Sequence, residues 1–215
     1  MPIYQLNESI VFPPVEGAED GIVAVGGELS AERLMLAYRS GIFPWYSEKD
    51  PIIWWSPDPR FVLYPDKIKV TKRMQSILRK GVFVTTYNKD FEQVIGNCQK
   101  IYRKDQPGTW ITEEMKNAYI FLHKKGLAKS IEVWQEDKLV GGMYGIDLGD
   151  VFCGESMFSK VSNASKVALI NFAQKFRSEG GKLIDCQVHT PHLETLGAEN
   201  ISRNKFLEYL QVPIE

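Results

Sequence analysis

Val151-Phe152-Cys153-Gly154-Glu155-Ser156-Met157-Phe158 is an apolar run broken by one glutamate, and Leu183-Ile184-Asp185-Cys186-Gln187-Val188 is another, broken by an aspartate and an amide. Between them Leu169, Phe172, Ala173 and Phe176 recur at helical spacing, with Ser162 or Asn163 placed to cap the helix and Gly180-Gly181 to stop it. The segment reads as strand, crossover helix, strand. A carboxylate on such a strand is costly to bury unless it is paired or working. Side chains alternate faces along a strand, so Asp185 and Gln187 point one way and Cys186 the other, while Glu155 and Met157 share a face. If the two strands are neighbours, Glu155, Asp185 and Gln187 converge on one cleft. The competing reading is a buried polar network that ties strands together.

Working outward, Ser130–Trp134 and Leu139–Ile146 precede Val151–Phe158 with short polar connections at Glu136-Asp137 and Leu148-Gly149, which predicts an antiparallel meander. Gly141, Gly142 and Gly145 fall inside its middle strand, where glycine marks a bulge or the close approach of another backbone. Helical spacing links Met115, Ala118, Tyr119 and Leu122, and before them Phe91, Val94, Ile95, Cys98, Ile101 and Tyr102. Val82–Tyr87 reads as a strand. Thr71 caps a helix with Met74, Ile77 and Leu78 inward and Gly81 closing it, and Arg203–Leu210 reads as a last helix. The order predicts an α+β fold, a mixed sheet covered by helices. The first sixty residues hold one good helix, capped by Ser30, with Leu34, Ala37 and Tyr38 on one face and Gly41 at its end. Prolines then interrupt Phe43-Pro44-Trp45-Tyr46 and Trp54-Trp55-Ser56-Pro57-Asp58-Pro59-Arg60, leaving those aromatics on loops or strand ends. A boundary near Pro57–Pro59 divides a small N-terminal domain, 1–58, from a larger one, 59–215.

The 215 residues, 44% hydrophobic and 25% charged, are enough for a full core, and no apolar run approaches the ~20 residues of a membrane span. Met1-Pro2-Ile3-Tyr4-Gln5 lacks the basic and apolar regions of a secretion signal, so the cytoplasm is expected. The net charge of −1 argues against a general polyanion binder. Locally, Lys67, Lys69, Lys72, Arg73, Arg79 and Lys80 face only Asp66, a cluster that is either a phosphate-binding patch or a solvated face. Lys72 and Arg73 sit in a first helical turn, where positive charge opposes the helix dipole and so hints at a function. Cys98, Cys153 and Cys186 have no metal or redox spacing and read as buried thiols, and His123, His189 and His192 make no metal spacing either. No metal or cofactor is expected. Trp45 and Trp110 sit on loops, where large rings suit base stacking as well as packing, whereas core or interface packing is favoured for Trp54, Trp55 and Trp134.

Together these motifs resemble the leucyl/phenylalanyl-tRNA–protein transferases. The likeness runs through Phe12-Pro13, Gly26-Gly27-Glu28-Leu29, Gly41 to Tyr46, Trp54 to Arg60, Gly108 to Thr112, Ser130 to Trp134 and Gly141 to Gly145. It closes with Phe152 to Ser159, Asn163 to Lys166, Ile184 to Gln187, His192 and Leu196-Gly197-Ala198. The resemblance implies a small N-terminal domain and a larger acetyltransferase-like (GNAT) one. It implies transfer of leucine, phenylalanine or methionine from aminoacyl-tRNA to the α-amino group of proteins beginning with Arg or Lys, which marks them for degradation. In the resemblance Trp45 and Trp110 hold the terminal adenosine. Met143, Met157, Leu169, Phe172, Phe176 and Ile184 form the amino-acid pocket, although strand alternation turns Ile184 away from Asp185 unless the strand bulges. Glu155, Asp185 and Gln187 match the polar centre. A monomer is expected.

The reaction so implied is aminolysis of an ester. Asp185, supported by Gln187, is expected to orient the amine and take its proton, with the leaving tRNA hydroxyl as the alternative acceptor. Glu155 is expected to hold the acceptor's cationic terminus or its basic side chain. Two rival readings are an acyl-CoA-dependent N-acetyltransferase and a non-catalytic adaptor for N-terminal residues or RNA. The first lacks its usual glycine-bearing pyrophosphate loop, since Ser159 to Lys166 contains no glycine. A polar centre on strands argues against the second.

Overall fold

In a computed structural model, residues 3–101 and 109–210 are described, and they form two sheets. The strands are β1 (Tyr4–Leu6), β2 (Ile22–Gly26), β3 (Phe43–Pro44), β4 (Ile53–Trp55), β5 (Arg60–Leu63), β6 (Val84–Tyr87), β7 (Ala128–Gln135), β8 (Lys138–Asp147), β9 (Val151–Ser159), β10 (Leu183–Gln187) and β11 (Glu199–Ile201). The helices are α1 (Ala31–Arg39), α2 (Lys72–Lys80), α3 (Phe91–Lys100), α4 (Glu113–Lys124), α5 (Ala164–Ser178), α6 (Pro191–Glu194) and α7 (Arg203–Leu210). A four-stranded sheet runs β1-β2-β4-β3 and a seven-stranded one β11-β5-β10-β9-β8-β7-β6. The architecture is mixed α+β, with an N-terminal sheet that the proline-broken sequence did not announce.

Local chemistry explains where the elements begin and end. The Ser30 hydroxyl accepts from Arg33 N to open α1, and the Thr71 hydroxyl accepts from Met74 N to open α2, which closes at Gly81 in the left-handed region with φ +64°. The β7–β8 hairpin turns through Glu136 and Asp137, both at positive φ (49° and 59°), the hand that matches strand twist. Asn163 precedes α5 in the left-handed region and makes no side-chain cap. Strand β6 starts at Val84 rather than Val82, and α3 ends at Lys100. Tyr102, expected as the next apolar position, and Pro107-Gly108 before Trp110 lie outside the described residues.

Helices cover both faces of the large sheet. On one, Val167, Leu169, Phe172 and Phe176 of α5 pack on Ile131, Met143, Phe152 and Ile184. On the other, Val94 and Cys98 of α3 and Met115 and Tyr119 of α4 pack on Tyr144, Ile146 and Phe158. That second layer is continuous with the core of the small sheet through Leu34, Ala37, Tyr38 and Trp54. Gly141 is glycine because a Cβ there would lie 2.5 Å from Ala164 Cβ at the start of α5, the close approach its place in a strand predicts. Strands β9 and β10 pair in parallel from Leu183↔Val151 to Asp185↔Cys153, where their pairing ends. A cleft opens beyond that point. Among the described residues no helix is long and apolar enough to cross a membrane.

Candidate active site

Two bulges aim the side chains that face the cleft. Along β8–β9, Tyr144 pairs with Ser156 and Gly145 with Gly154, so Glu155 is the extra residue. Along β5–β10, Asp185 pairs with Val62 and Gln187 with Phe61, so Cys186 is the extra one. A bulge bends its strand and redirects a side chain that simple alternation would fix. Gly145 makes the first possible, since a Cβ there would sit 2.2 Å from the Cys153 carbonyl oxygen. Gln187 stands at φ +65°, a left-handed conformation that non-glycine residues adopt only when held. Ile184 and Asp185 pair in regular register, with the bulge only after them, and both still line the same cavity.

The polar centre is a connected, enclosed network. Arg60 Nε donates to Asp185 Oδ1 at 2.8 Å and Nη2 to Oδ2 at 2.7 Å, with both residues buried. Gln187 N donates to the same Asp185 Oδ1 at 2.9 Å, and Gln187 Nε2 donates to Glu155 Oε1 at 2.8 Å. The Tyr119 hydroxyl donates to Glu155 Oε2 at 3.0 Å and is itself in short contact with the Tyr38 hydroxyl from α1. Burial pushes the Glu155 carboxyl up to about 7; the Tyr38 and Tyr119 hydroxyls pull it back, the Asp185 charge adds to the rise, and Gln187 opposes it. Burial and the nearby Glu155 charge hold both tyrosines well above their ordinary value.

A cavity of about 370 Å³ lies against this network. Glu155, Asp185 and Gln187 line it together with Met143, Met157, Leu169 and Ile184, and so do Trp45 and Trp110. Trp45 is exposed and its carbonyl accepts from Trp55 Nε1 at 2.7 Å, which fixes the strand end that carries it. Phe172 and Phe176 do not line the cavity. They stack on each other at 5.3 Å, with Phe152 4.3 Å from Phe172. Cys186, expected to be a buried thiol, is half-buried and on the cavity wall. Lys67, Lys69, Lys72, Arg73, Arg79 and Lys80 are all exposed, on α2 and the segment before it, with Lys67 paired to Glu199 at 3.0 Å. Trp54 is buried, as expected, and donates to Gly26 O.

Family comparison agrees with the motif order. Residues 62–211 match the family model described as leucyl/phenylalanyl-tRNA protein transferase, and residues 27–58 match that of its N-terminal domain. The chain belongs to this family. The leucyl/phenylalanyl-tRNA–protein transferase of Flavobacterium johnsoniae is 57% identical over 97% of this chain and 99% of that one. That of Christiangramia forsetii is 54% identical over 97% and 100%. Among solved structures, a GCN5-related N-acetyltransferase from Kribbella flavida is similar with TM-score 0.41 at 11% identity, covering 78% of this chain and 60% of that one. As a member of the family that its sequence matches, the chain is an acyltransferase of the aminoacyl-tRNA–protein class. Sequence reasoning did not single out Arg60, Tyr38 or Tyr119 as parts of the polar centre. Arg60 closes a quoted motif, and the tyrosines fell on apolar helix faces where periodicity reads them as core.

Proposed function

We propose that the chain moves leucine, phenylalanine or methionine from its tRNA to the α-amino group of proteins beginning with Arg or Lys, and so marks them for degradation. The observation that carries this reading is that one cavity is lined by two indoles, Trp45 and Trp110, by apolar side chains and by the Glu155–Gln187 centre. The terminal adenosine stacks on Trp45 and Trp110, and the carried side chain enters between Met143, Met157, Leu169 and Ile184. Methionines suit a slot that accepts Leu, Met and Phe alike. Phe172 and Phe176 act on that slot from behind, by fixing the sheet that carries it. The exposed cluster from Lys67 to Lys80 meets tRNA phosphates without reading sequence.

In the transfer the acceptor nitrogen attacks the ester carbonyl carbon, the carbon–nitrogen bond forms and the bond to the ribose oxygen breaks. The amine gives up one proton and the ribose oxygen leaves as a hydroxyl. An α-amine of pKa near ~8 is partly neutral at pH 7, so orientation supplies much of the acceleration. Asp185 is poorly placed to take the proton, because its carboxylate is held in a two-bond ion pair with the Arg60 guanidinium, whereas Glu155 accepts only from the neutral Gln187 amide and Tyr119 hydroxyl. Glu155, near 7 and on the cavity wall, is the better base, and Asp185 becomes the anchor of Gln187. Enclosed as it is, Glu155 meets the acceptor's amine rather than its long basic side chain. The test is transfer of labelled leucine from Leu-tRNA to peptides headed by Arg, Lys or Ala. Label on the first two alone is the expected result, and an unlabelled Arg peptide would refute the reading.

A further inference from the structure

We propose that Arg60 is the positioning residue of the transfer centre, holding the Asp185 anchor and the Trp45 wall of the cavity in fixed register; this rests on the function proposed above. Its guanidinium uses both its edge and its faces. Nε and Nη2 grip Asp185 at 2.8 and 2.7 Å, while Nη1 donates to the Gly41 carbonyl at 3.1 Å. The rings of Phe43 and Phe206 lie over it, with centroids at 4.8 and 4.5 Å. One side chain therefore joins β10, the turn after α1, β3 and α7. Phe43 and Pro44 line the cavity and lead directly to Trp45.

Stability alone does not call for such a pair. A buried ion pair is often matched by apolar side chains of similar volume, so its presence argues weakly for a stabilising role. A planar fork adds geometry, two parallel bonds that fix a carboxylate in plane. The fixed carboxylate then does specific work. Asp185 Oδ1 receives both Arg60 Nε and, at 2.9 Å, the backbone N–H of Gln187. That second bond holds Gln187 at φ +65°, and from there its amide reaches Glu155 Oε1 at 2.8 Å. Arg60 thus acts on Glu155 through two intermediaries and on Trp45 through the Gly41–Phe43 backbone, touching neither directly.

Transfer from labelled Leu-tRNA to an Arg-headed peptide, resolved into kcat and KM, tests this. A wild-type chain that transfers nothing defeats the function above. With an active wild type, Arg60→Lys keeps the charge and loses the fork. It should lower kcat by about 10²-fold, the size of an ångström-scale misplacement, and also raise KM for the aminoacyl-tRNA. A kcat within about twofold of wild type overturns the proposal. The double variant Arg60→Gln with Asp185→Asn leaves no unpaired buried charge and decides the matter if the lysine variant does not fold. If Arg60 reaches the chemistry through Asp185, the double variant's kcat equals that of Asp185→Asn alone while its KM for the aminoacyl-tRNA rises further through the Trp45 arm, whereas a further drop of about tenfold in kcat itself overturns the proposal.

Discussion

Two glutamates on the large sheet look alike in sequence and behave differently in the fold. Glu132 on β7 and Glu155 on β9 both interrupt apolar strands and are both buried, at 0% and 8% exposure. Glu132 accepts from the hydroxyls of Thr86 (2.7 Å) and Ser130 (2.5 Å) and from the backbone N–H groups of Lys89 (3.3 Å) and Asp90 (3.4 Å). It ties the end of β6 to the start of α3, lies in regular register opposite Gly142 and Thr86, and lines no part of the cavity. Glu155 is the extra residue of a bulge, beside a second carboxylate and against open space. Burial of a carboxylate therefore marks a site only when the backbone has been distorted to present it. A carboxylate satisfied by neighbouring hydroxyls and amides is a fastener.

The sharpest way to break this contrast is to neutralise each acid. Glu155→Gln should lower kcat for transfer by ~10²–10⁴-fold, the range of general acid–base effects. Glu132→Gln should leave kcat nearly unchanged and instead cost about 1–3 kcal/mol of stability, because an amide offers one oxygen where four donors converge. Parallel kinetics and denaturant melts of both variants read the two effects. A Glu132 variant as inactive as the Glu155 one would erase the distinction.

The sequence alone could not have drawn it. Apolar period gives the face on which a residue lies and says nothing of what stands opposite. Thus the caps at Ser30 and Thr71 and the β7–β8–β9 meander were legible, since each follows from local spacing. The convergence of Glu155, Asp185 and Gln187 was legible only on the condition that their two strands are neighbours, which the β9–β10 pairing meets. The bulges were not, because an extra residue belongs to the pairing between two strands and leaves each strand's own pattern intact. Arg60 was invisible as a partner because Asp185 lies 125 residues away along the chain. Tyr38 and Tyr119 read as core and are core, with only their hydroxyls turned towards Glu155. The N-terminal sheet escaped notice for a plainer reason: β1 and β4 are three residues long and β3 two, too short for any period to register.

A second consequence lies in stability against pH. Glu155 rises from an ordinary 4.5 to about 7 in the folded chain, chiefly through burial. Between those values the folded state binds more protons than the unfolded one, so stability falls as pH rises through the window. The loss from this one group is about 3 kcal/mol, complete above pH ~7 and absent below ~4.5. Glu155→Gln removes that slope. Relative to wild type it should gain stability as pH goes from 4.5 to 8, whereas Glu132→Gln should be the less stable chain at both ends. Urea melts at the two pH values measure it. Parallel wild-type and Glu155→Gln curves would mean that the buried acid carries no strained charge.

The smallest effect separates the two networks donor by donor. Hydroxyl donors to Glu155 pull its carboxyl down against burial, so removing one should let it rise further. Tyr119→Phe removes the donor at 3.0 Å and leaves the Tyr38 hydroxyl in place, so the rise is partial. The acid limb of kcat/KM should then move to higher pH: the rate at pH 7 drops a few-fold and recovers in more alkaline buffer, because the proposed base must lose its proton before it can accept another. Thr86→Val likewise strips one donor from Glu132, and with it the 2.7 Å bond from Trp134 Nε1. It should weaken the fold by about 1 kcal/mol per bond lost and leave the limb where it was. If the Thr86 variant moves the limb, Glu132 is coupled to the chemistry after all. If the Tyr119 variant does not, the group that titrates in the rate is not Glu155.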